Sequence, residues 1–178
     1  MDIIKFTLEE SDCVQNLFYD VFLDSEGLEE GHILKDFVKA LIETTQSNDL
    51  RGYLTYQNNE LIASVFFSRV KTDSKRDVFI LSPMAVRSNF QKQGIGQSLI
   101  KYGLNQLEQS CVDIILTYGD PSFYVKAGFQ NISEELIRPP FKLSYPQGWL
   151  GLSFLDEDIK NEAFQCSCVN ALNNSALW

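Results

Sequence analysis

An apolar run that stops at a glycine loop and restarts as an amphipathic helix constrains this chain more than any other feature. The run is Val78-Phe79-Ile80-Leu81-Ser82-Pro83-Met84-Ala85-Val86, which reads as a strand. Gln91-Lys92-Gln93-Gly94-Ile95-Gly96 follows, and Ile95, Leu99, Tyr102, Leu104 and Leu107 then recur at roughly helical spacing. Strand, tight loop and helix is the context that a phosphate loop requires. The start of a helix leaves roughly four main-chain N–H groups without partners. Aligned peptide dipoles add partial positive charge there, so a phosphate can be held without a basic side chain. Glycine lets the backbone touch the phosphate, because a Cβ would hold the oxygens away. Two other glycine motifs are excluded. A dinucleotide fingerprint needs a small residue at position 99, where Leu99 stands, and the chain has no Gly-Lys-Ser/Thr triplet. Taken alone, the loop also reads as a plain turn before a helix.

A second signal lies about 25 residues on. Val112–Thr117 reads as a buried strand, and Tyr118-Gly119-Asp120-Pro121-Ser122-Phe123-Tyr124 continues to Gly128-Phe129. Pro121 suits the first turn of a short helix, and Asp120 in front of it reads as an N-cap. That helix brings the Tyr124 hydroxyl towards the glycine loop. The other reading of Tyr124 is a core aromatic with a wet tip.

Together the two segments resemble the GCN5-related N-acetyltransferase (GNAT) superfamily. Its motif Q/R-x-x-G-x-G/A fits Gln91–Gly96, and its tyrosine four residues before G-F fits Tyr124 before Gly128-Phe129. The version G-D-P-x-x-Y-x-x-x-G-F, followed by Pro139-Pro140-Phe141, is similar to a subgroup of bacterial predicted N-acetyltransferases. The resemblance runs from about Asp2 to Leu155. It implies an α/β (α+β) fold with a mixed, mostly antiparallel central sheet, splayed between the fourth and fifth strands and flanked by helices. It implies one acetyltransferase domain over residues 1–155, with 156–178 as a C-terminal extension packed on it.

The resemblance also implies acetyl-CoA as cosubstrate, no metal, and a primary amine on a small molecule or peptide as acceptor. The pyrophosphate would lie on the main chain of Gln91, Lys92, Gln93, Gly94, Ile95, Gly96 and Gln97, helped by the Lys92 charge. The pantetheine arm would pair with the backbone of Met84, Ala85 and Val86, and the strands would part after these residues. Asp120, Ser122 and Tyr124 would add contacts. A free N–H near Met84 would hold the oxyanion, and one such donor in a dry site is worth ~3 kcal/mol. Tyr124 would act as the general acid, because a phenol is protonated at neutral pH and can donate to a thiolate of similar basicity.

The base is not evident. Many relatives place a carboxylate on the fourth strand, but Val78–Val86 contains no Asp or Glu. Asp77 before that strand, Asp120 after the fifth, a water relay and an already neutral amine all stay open. A noncatalytic acyl-CoA-binding or sensor module is therefore the rival reading, and turnover with an amine separates the two.

The remaining sequence suits a single globular domain. The chain has 178 residues, 44% of them apolar, with no internal repeat and no Pro-, Gly- or Ser-rich linker. The start lacks a signal-peptide pattern, no apolar run of about 18 residues occurs, and a cytoplasmic location follows as the default. The net charge of −9 disfavours nucleic acid and weakly favours cationic acceptors such as polyamines or aminoglycosides. A homodimer is left open.

Element by element, residues 2–7 read as a strand and Thr7 with Glu10 as a capping box. Cys13, Val14, Leu17, Phe18 and Val21 form one helical face, and Ile33, Leu34, Phe37, Val38, Leu41 and Ile42 a second, with an acidic stretch at 24–30 between them. Leu50–Gln57 and Leu61–Val70 form a hairpin about Asn58-Asn59. Phe129–Ile132 and Trp149–Leu155 supply the last strands. The tail from Asp156 reads as a short helix or an irregular arm, with Trp178 suited to an apolar groove. His32, the single histidine, reads as a surface residue or as an acceptor-site residue. The four cysteines, Cys13, Cys111, Cys166 and Cys168, lack zinc-ligand spacing and read as free thiols.

Overall fold

The computed structural model of the protein describes residues 2–178. Strands β1 (Asp2–Lys5), β2 (Leu50–Gln57), β3 (Glu60–Thr72), β4 (Val78–Val86) and β5 (Ile114–Tyr118) lie side by side in chain order. β8 (Trp149–Ser153) and β6 (Gln130–Asn131) extend the sheet beyond β5. Along this path every pair is antiparallel except β4 with β5. That parallel step needs a crossover, which helix α3 (Ile95–Gln109) supplies. The sheet is thus mixed and mostly antiparallel, as expected.

Alternation along the central strands splits the core between the two faces of the sheet. Helices α1 (Ser11–Glu26) and α2 (Leu28–Thr44) cover one face, packing Leu17, Phe18, Val38 and Leu41 against Leu54, Phe66 and Ala85. α3 covers the other, packing Leu99, Ile100 and Leu107 against Val65, Phe67, Phe79 and Ile115. Full burial of side chains of this size stabilises the fold by roughly 1.5–3 kcal/mol each.

Local chemistry sets the turns. Asn58 (φ 50°) and Asn59 (φ 64°) make the β2–β3 turn, a conformation that asparagine tolerates. Thr7 N and Oγ1 both donate to Glu10 Oε2, at 2.8 and 2.7 Å, in the expected capping box. The acidic stretch at 24–30 does not form a separate connection between the helices. It is absorbed into the ends of α1 and α2, which are broken only at Gly27 with φ 102°. Cys13 and Ile33 are exposed rather than on the buried faces, because those stripes begin at Val14 and Leu34.

One irregularity shapes the centre of the molecule. Val65 of β3 pairs with Met84, but Phe67 pairs with Leu81. Ser82 and Pro83 therefore stand opposite Phe66 alone, as a bulge. Proline has no N–H to give a ladder and is found at such places, and a bulge bends and twists its strand. β4 and β5 stop pairing at that point, with Leu81 opposite Thr117 as the last pair. The Thr117 hydroxyl donates to Leu81 O at 3.1 Å across it. The strands part before Met84, earlier than the sequence suggested.

The tail forms a strand, which its polar sequence did not announce. β9 (Phe164–Ser167) pairs antiparallel with β3 and parallel with β7 (Ile137–Arg138). Phe164, Cys166, Leu172 and Trp178 are buried in a third cluster with Val78, Ile80, Leu116 and Trp149. Trp178 stacks on Tyr118 with ring centres 6.1 Å apart and meets Trp149 edge-on at 6.0 Å.

Candidate active site

The parting of β4 and β5 opens a crevice of ≈ 900 Å³. Met84, Ala85 and Val86 form one wall, and the loop Gln91–Gln97 at the mouth of α3 forms the floor, except for Gln93. Gly119, Asp120, Phe123 and Tyr124 form the wall beyond β5. The C-terminal end of α1, with Phe22, Ser25 and Glu26, closes the far side.

At the loop, Gly94 takes φ 81° immediately before the first residue of α3. A Cβ there would point into open space, so only the backbone conformation demands glycine. Gly96 has a different reason. A Cβ on it would lie 3.3 Å from both Met84 Cε and Phe123 Cζ, so Gly96 lets the helix start sit tightly between the two walls. The first main-chain bond into the helix is Ser98 N to Gly94 O, at 2.9 Å. Among the described residues nothing accepts from the N–H groups of residues 92–97. Lys92, itself at φ 60°, and Lys126 bring positive charge to the same crevice. The Gln91 side chain donates to Val86 O at 3.0 Å and joins the loop to the end of β4.

The short helix α4 (Pro121–Tyr124) starts as the sequence implied. Asp120 accepts from Ser122 N at 2.9 Å and from Ser122 Oγ at 2.8 Å. Ser122 is thereby turned to its cap and does not line the crevice. Gln93 lies outside it too, its side chain donating to Asn89 O at 3.0 Å. Gln97 ties the two halves of the site together, donating to Phe123 O at 2.7 Å. Its Oε1 is buried without a partner among the described residues.

Tyr124 lies between Phe123 and Phe129, with ring centres at 5.1 and 5.8 Å. Gly119 makes room for it, since a Cβ there would come within 2.8 Å of the Tyr124 ring. Burial pushes the Tyr124 phenol above its ordinary range. The nearby Thr117 hydroxyl offsets part of that rise, and the charge of Asp120 adds to it.

The carboxylates fall in unequal places. Asp77 sits at the opposite end of β4 from Met84–Val86, in an ion pair with Arg69, which also contacts Asp49 at 2.7 Å. Asp77 is therefore remote from the crevice, and Asp120 is committed to its cap. Glu26, missed in the sequence, lines the crevice and makes no ion pair among the described residues. No pattern marked it, because it arrives there by the packing of α1. His32 is on the outer surface of the helical pair, edge-on to Tyr19 at 5.0 Å, and does not line the crevice. No group of three or more His, Cys, Asp or Glu among the described residues could hold a metal ion. No helix among them is long and apolar enough to cross a membrane.

Known proteins share this arrangement. Residues 48–131 match the family described as acetyltransferase (GNAT) domain. The uncharacterized N-acetyltransferase YhbS of Escherichia coli K12 is 26% identical over 128 residues, covering 67% of this chain and 75% of YhbS. The uncharacterized N-acetyltransferase YjhQ of the same strain is 24% identical over 98 residues, covering 53% of this chain and 54% of YjhQ. The crystal structure of E. coli YhbS in complex with CoA superposes with a TM-score of 0.76 at 18% identity, covering 97% of this chain and 92% of that one. A GNAT family acetyltransferase from Brucella melitensis in complex with acetyl-CoA superposes with a TM-score of 0.69 at 20% identity, covering 96% of both chains. The strand-loop-helix unit, the parted sheet and these matches agree: the chain has the GNAT fold, and its residues 48–131 are similar to the GNAT acetyltransferase domain.

Proposed function

We propose that this protein transfers the acetyl group of acetyl-CoA to a primary amine by direct attack, with Tyr124 as general acid. The observation that carries the reading is the row of unpartnered N–H groups at residues 92–97, which apart from Gln93 line the same crevice as Tyr124. Diphosphate oxygens would accept from these amides, with Lys92 and Lys126 adding charge. Met84, Ala85 and Val86 lie beyond the last β4–β5 pair, so their edge is free for the amide groups of the pantetheine arm. The amine nitrogen bonds to the thioester carbonyl carbon, and the carbonyl oxygen becomes an oxyanion held by a main-chain N–H near Met84. As the intermediate collapses, the C–S bond breaks and the thiolate takes the Tyr124 proton. The amine nitrogen gives up its own proton to water, water returns one to the Tyr124 phenolate, and an amide and CoA thiol are left. Of the carboxylates lining the crevice, Glu26 is the one not held in a cap.

Isothermal calorimetry with CoA, run beside thiol release from acetyl-CoA across an amine panel, tests this. CoA binding with amine-dependent thiol release is expected. Absence of CoA binding would sink the reading, and binding with no amine consumed would leave a binding module instead.

A further inference from the structure

A second, smaller cavity flanks the same gap. It measures ≈ 120 Å³ and is lined by Leu34 and Phe37 of α2, Ser82 and Pro83 of the bulge, Tyr118, and Trp178 of the tail, among others. Its relation to the crevice is read directly from the chain. Pro83 and Met84 are consecutive, as are Tyr118 and Gly119, and in each pair the first lines the small cavity and the second the crevice. The two spaces therefore flank the place where β4 and β5 part, with the crevice on one side and the small cavity on the other.

No side chain lining the cavity is charged. Its polar tips are already engaged. Tyr118 Oη accepts from Tyr145 N at 2.7 Å and shares a hydrogen bond with Ser144 Oγ at 3.0 Å. Trp178 Nε1 donates to Leu172 O at 3.0 Å. What remains towards the cavity is ring and aliphatic surface, with the Ser82 hydroxyl as the one side-chain group there without a hydrogen bond among the described residues.

The geometry points to an acceptor whose amine is carried on a small uncharged apolar group, a single ring or a branched alkyl chain, seated in this cavity. The inference rests on the acetyl-transfer reading. A cavity of about 150 Å³ lined by aliphatic and aromatic side chains takes up benzene, so a space of this order suits one ring. A second ammonium or a polyhydroxylated ring would be desolvated there without a partner, which is costly. The net charge of −9 attracts cations from a distance, but no charged side chain lines the cavity to pair with them. With the apolar group seated, the amine projects into the gap, towards the thioester.

The test compares kcat/KM for benzylamine and isopentylamine with that for spermidine and kanamycin, with CoA calorimetry alongside. We expect the apolar amines to lead by about 10-fold or more, the discrimination that a hydrophobic pocket gives. Leu177 lines the cavity and is only partly buried, so Leu177→Trp would fill the space. It is expected to lower kcat/KM for benzylamine about 10-fold or more while the CoA dissociation constant holds. Leu177→Ala, which adds no bulk, should extend the range to larger amines. If CoA binds but only spermidine or kanamycin is acetylated, or if Leu177→Trp changes nothing, the inference is overturned. Failure of CoA binding, or CoA binding with no amine consumed, would instead overturn the acetyl-transfer reading beneath it.

Discussion

In the proposed reaction the Tyr124 hydroxyl supplies the proton that the departing thiolate takes. Replacing Tyr124 with Phe keeps the ring between Phe123 and Phe129 and removes only the hydroxyl. Tyr124→Phe should bind CoA as the wild type does and turn over ~10–1000-fold more slowly, measured as kcat under saturating acetyl-CoA. Equal kcat values, with chemistry rate-limiting, would exclude the phenol as the acid. The pH profile follows from the sign of the shift. Burial favours the neutral form, so Tyr124 keeps its proton above the ordinary tyrosine value of 10.0. The alkaline fall in kcat should therefore be centred above pH 10.0, and a fall centred lower would belong to another group. The cysteines differ for the same kind of reason. Burial pushes the Cys166 thiol up to about 12, whereas Cys13 and Cys111 are exposed. Titration with an aromatic disulfide reagent should modify Cys13 and Cys111 rapidly in the folded protein, and Cys166 only after unfolding. Rapid labelling of Cys166 in the native state would contradict its burial.

At the scale of elements, the start of α3 and the bulge in β4 make the site. The amides of residues 92–97 lack protein acceptors among the described residues, so in the free protein they should exchange quickly with deuterium. CoA should slow that exchange by about 10-fold or more, followed by mass spectrometry on peptides across this loop. Unchanged exchange in a CoA complex would mean that the phosphates lie elsewhere. Much of this level was legible in the chain. The period change from Val78–Val86 to Ile95–Leu107 gave the strand and helix, and Pro121 after Asp120 gave the capped turn below Tyr124. Pro83 was the signal left unread, since a proline inside a strand marks a bulge and hence the place where β4 leaves β5. Glu26, Ser25 and Lys126 could not be read, because tertiary packing brings them to the crevice and no local spacing encodes that. The tail escaped for a related reason. β7 and β9 are two and four residues long, and each is stabilised by a partner distant in sequence.

Across the whole molecule, the tail joins the third buried cluster to the small cavity beside the parting strands. Trp178 fills space between Tyr118 and Trp149 and accepts from Ser144 N at 2.9 Å, so it links the segment before β8 to the end of β5. Trp178→Ala should cost ~3–5 kcal/mol of stability and lower the melting temperature on the order of 10 °C. Scanning calorimetry checks this, and a shift of a degree or less would show that the tryptophan contributes little to the core. The early end of β4–β5 pairing has a different kind of consequence. It leaves a sheet edge in the interior instead of at the rim, recessed between helices on either face. Exposed edges invite other sheets and so promote aggregation. This one is shielded from such partners yet open to a slender extended molecule. Inhibitors built as short peptidomimetics, with alternating donors and acceptors, would match it by shape as well as by hydrogen bonding.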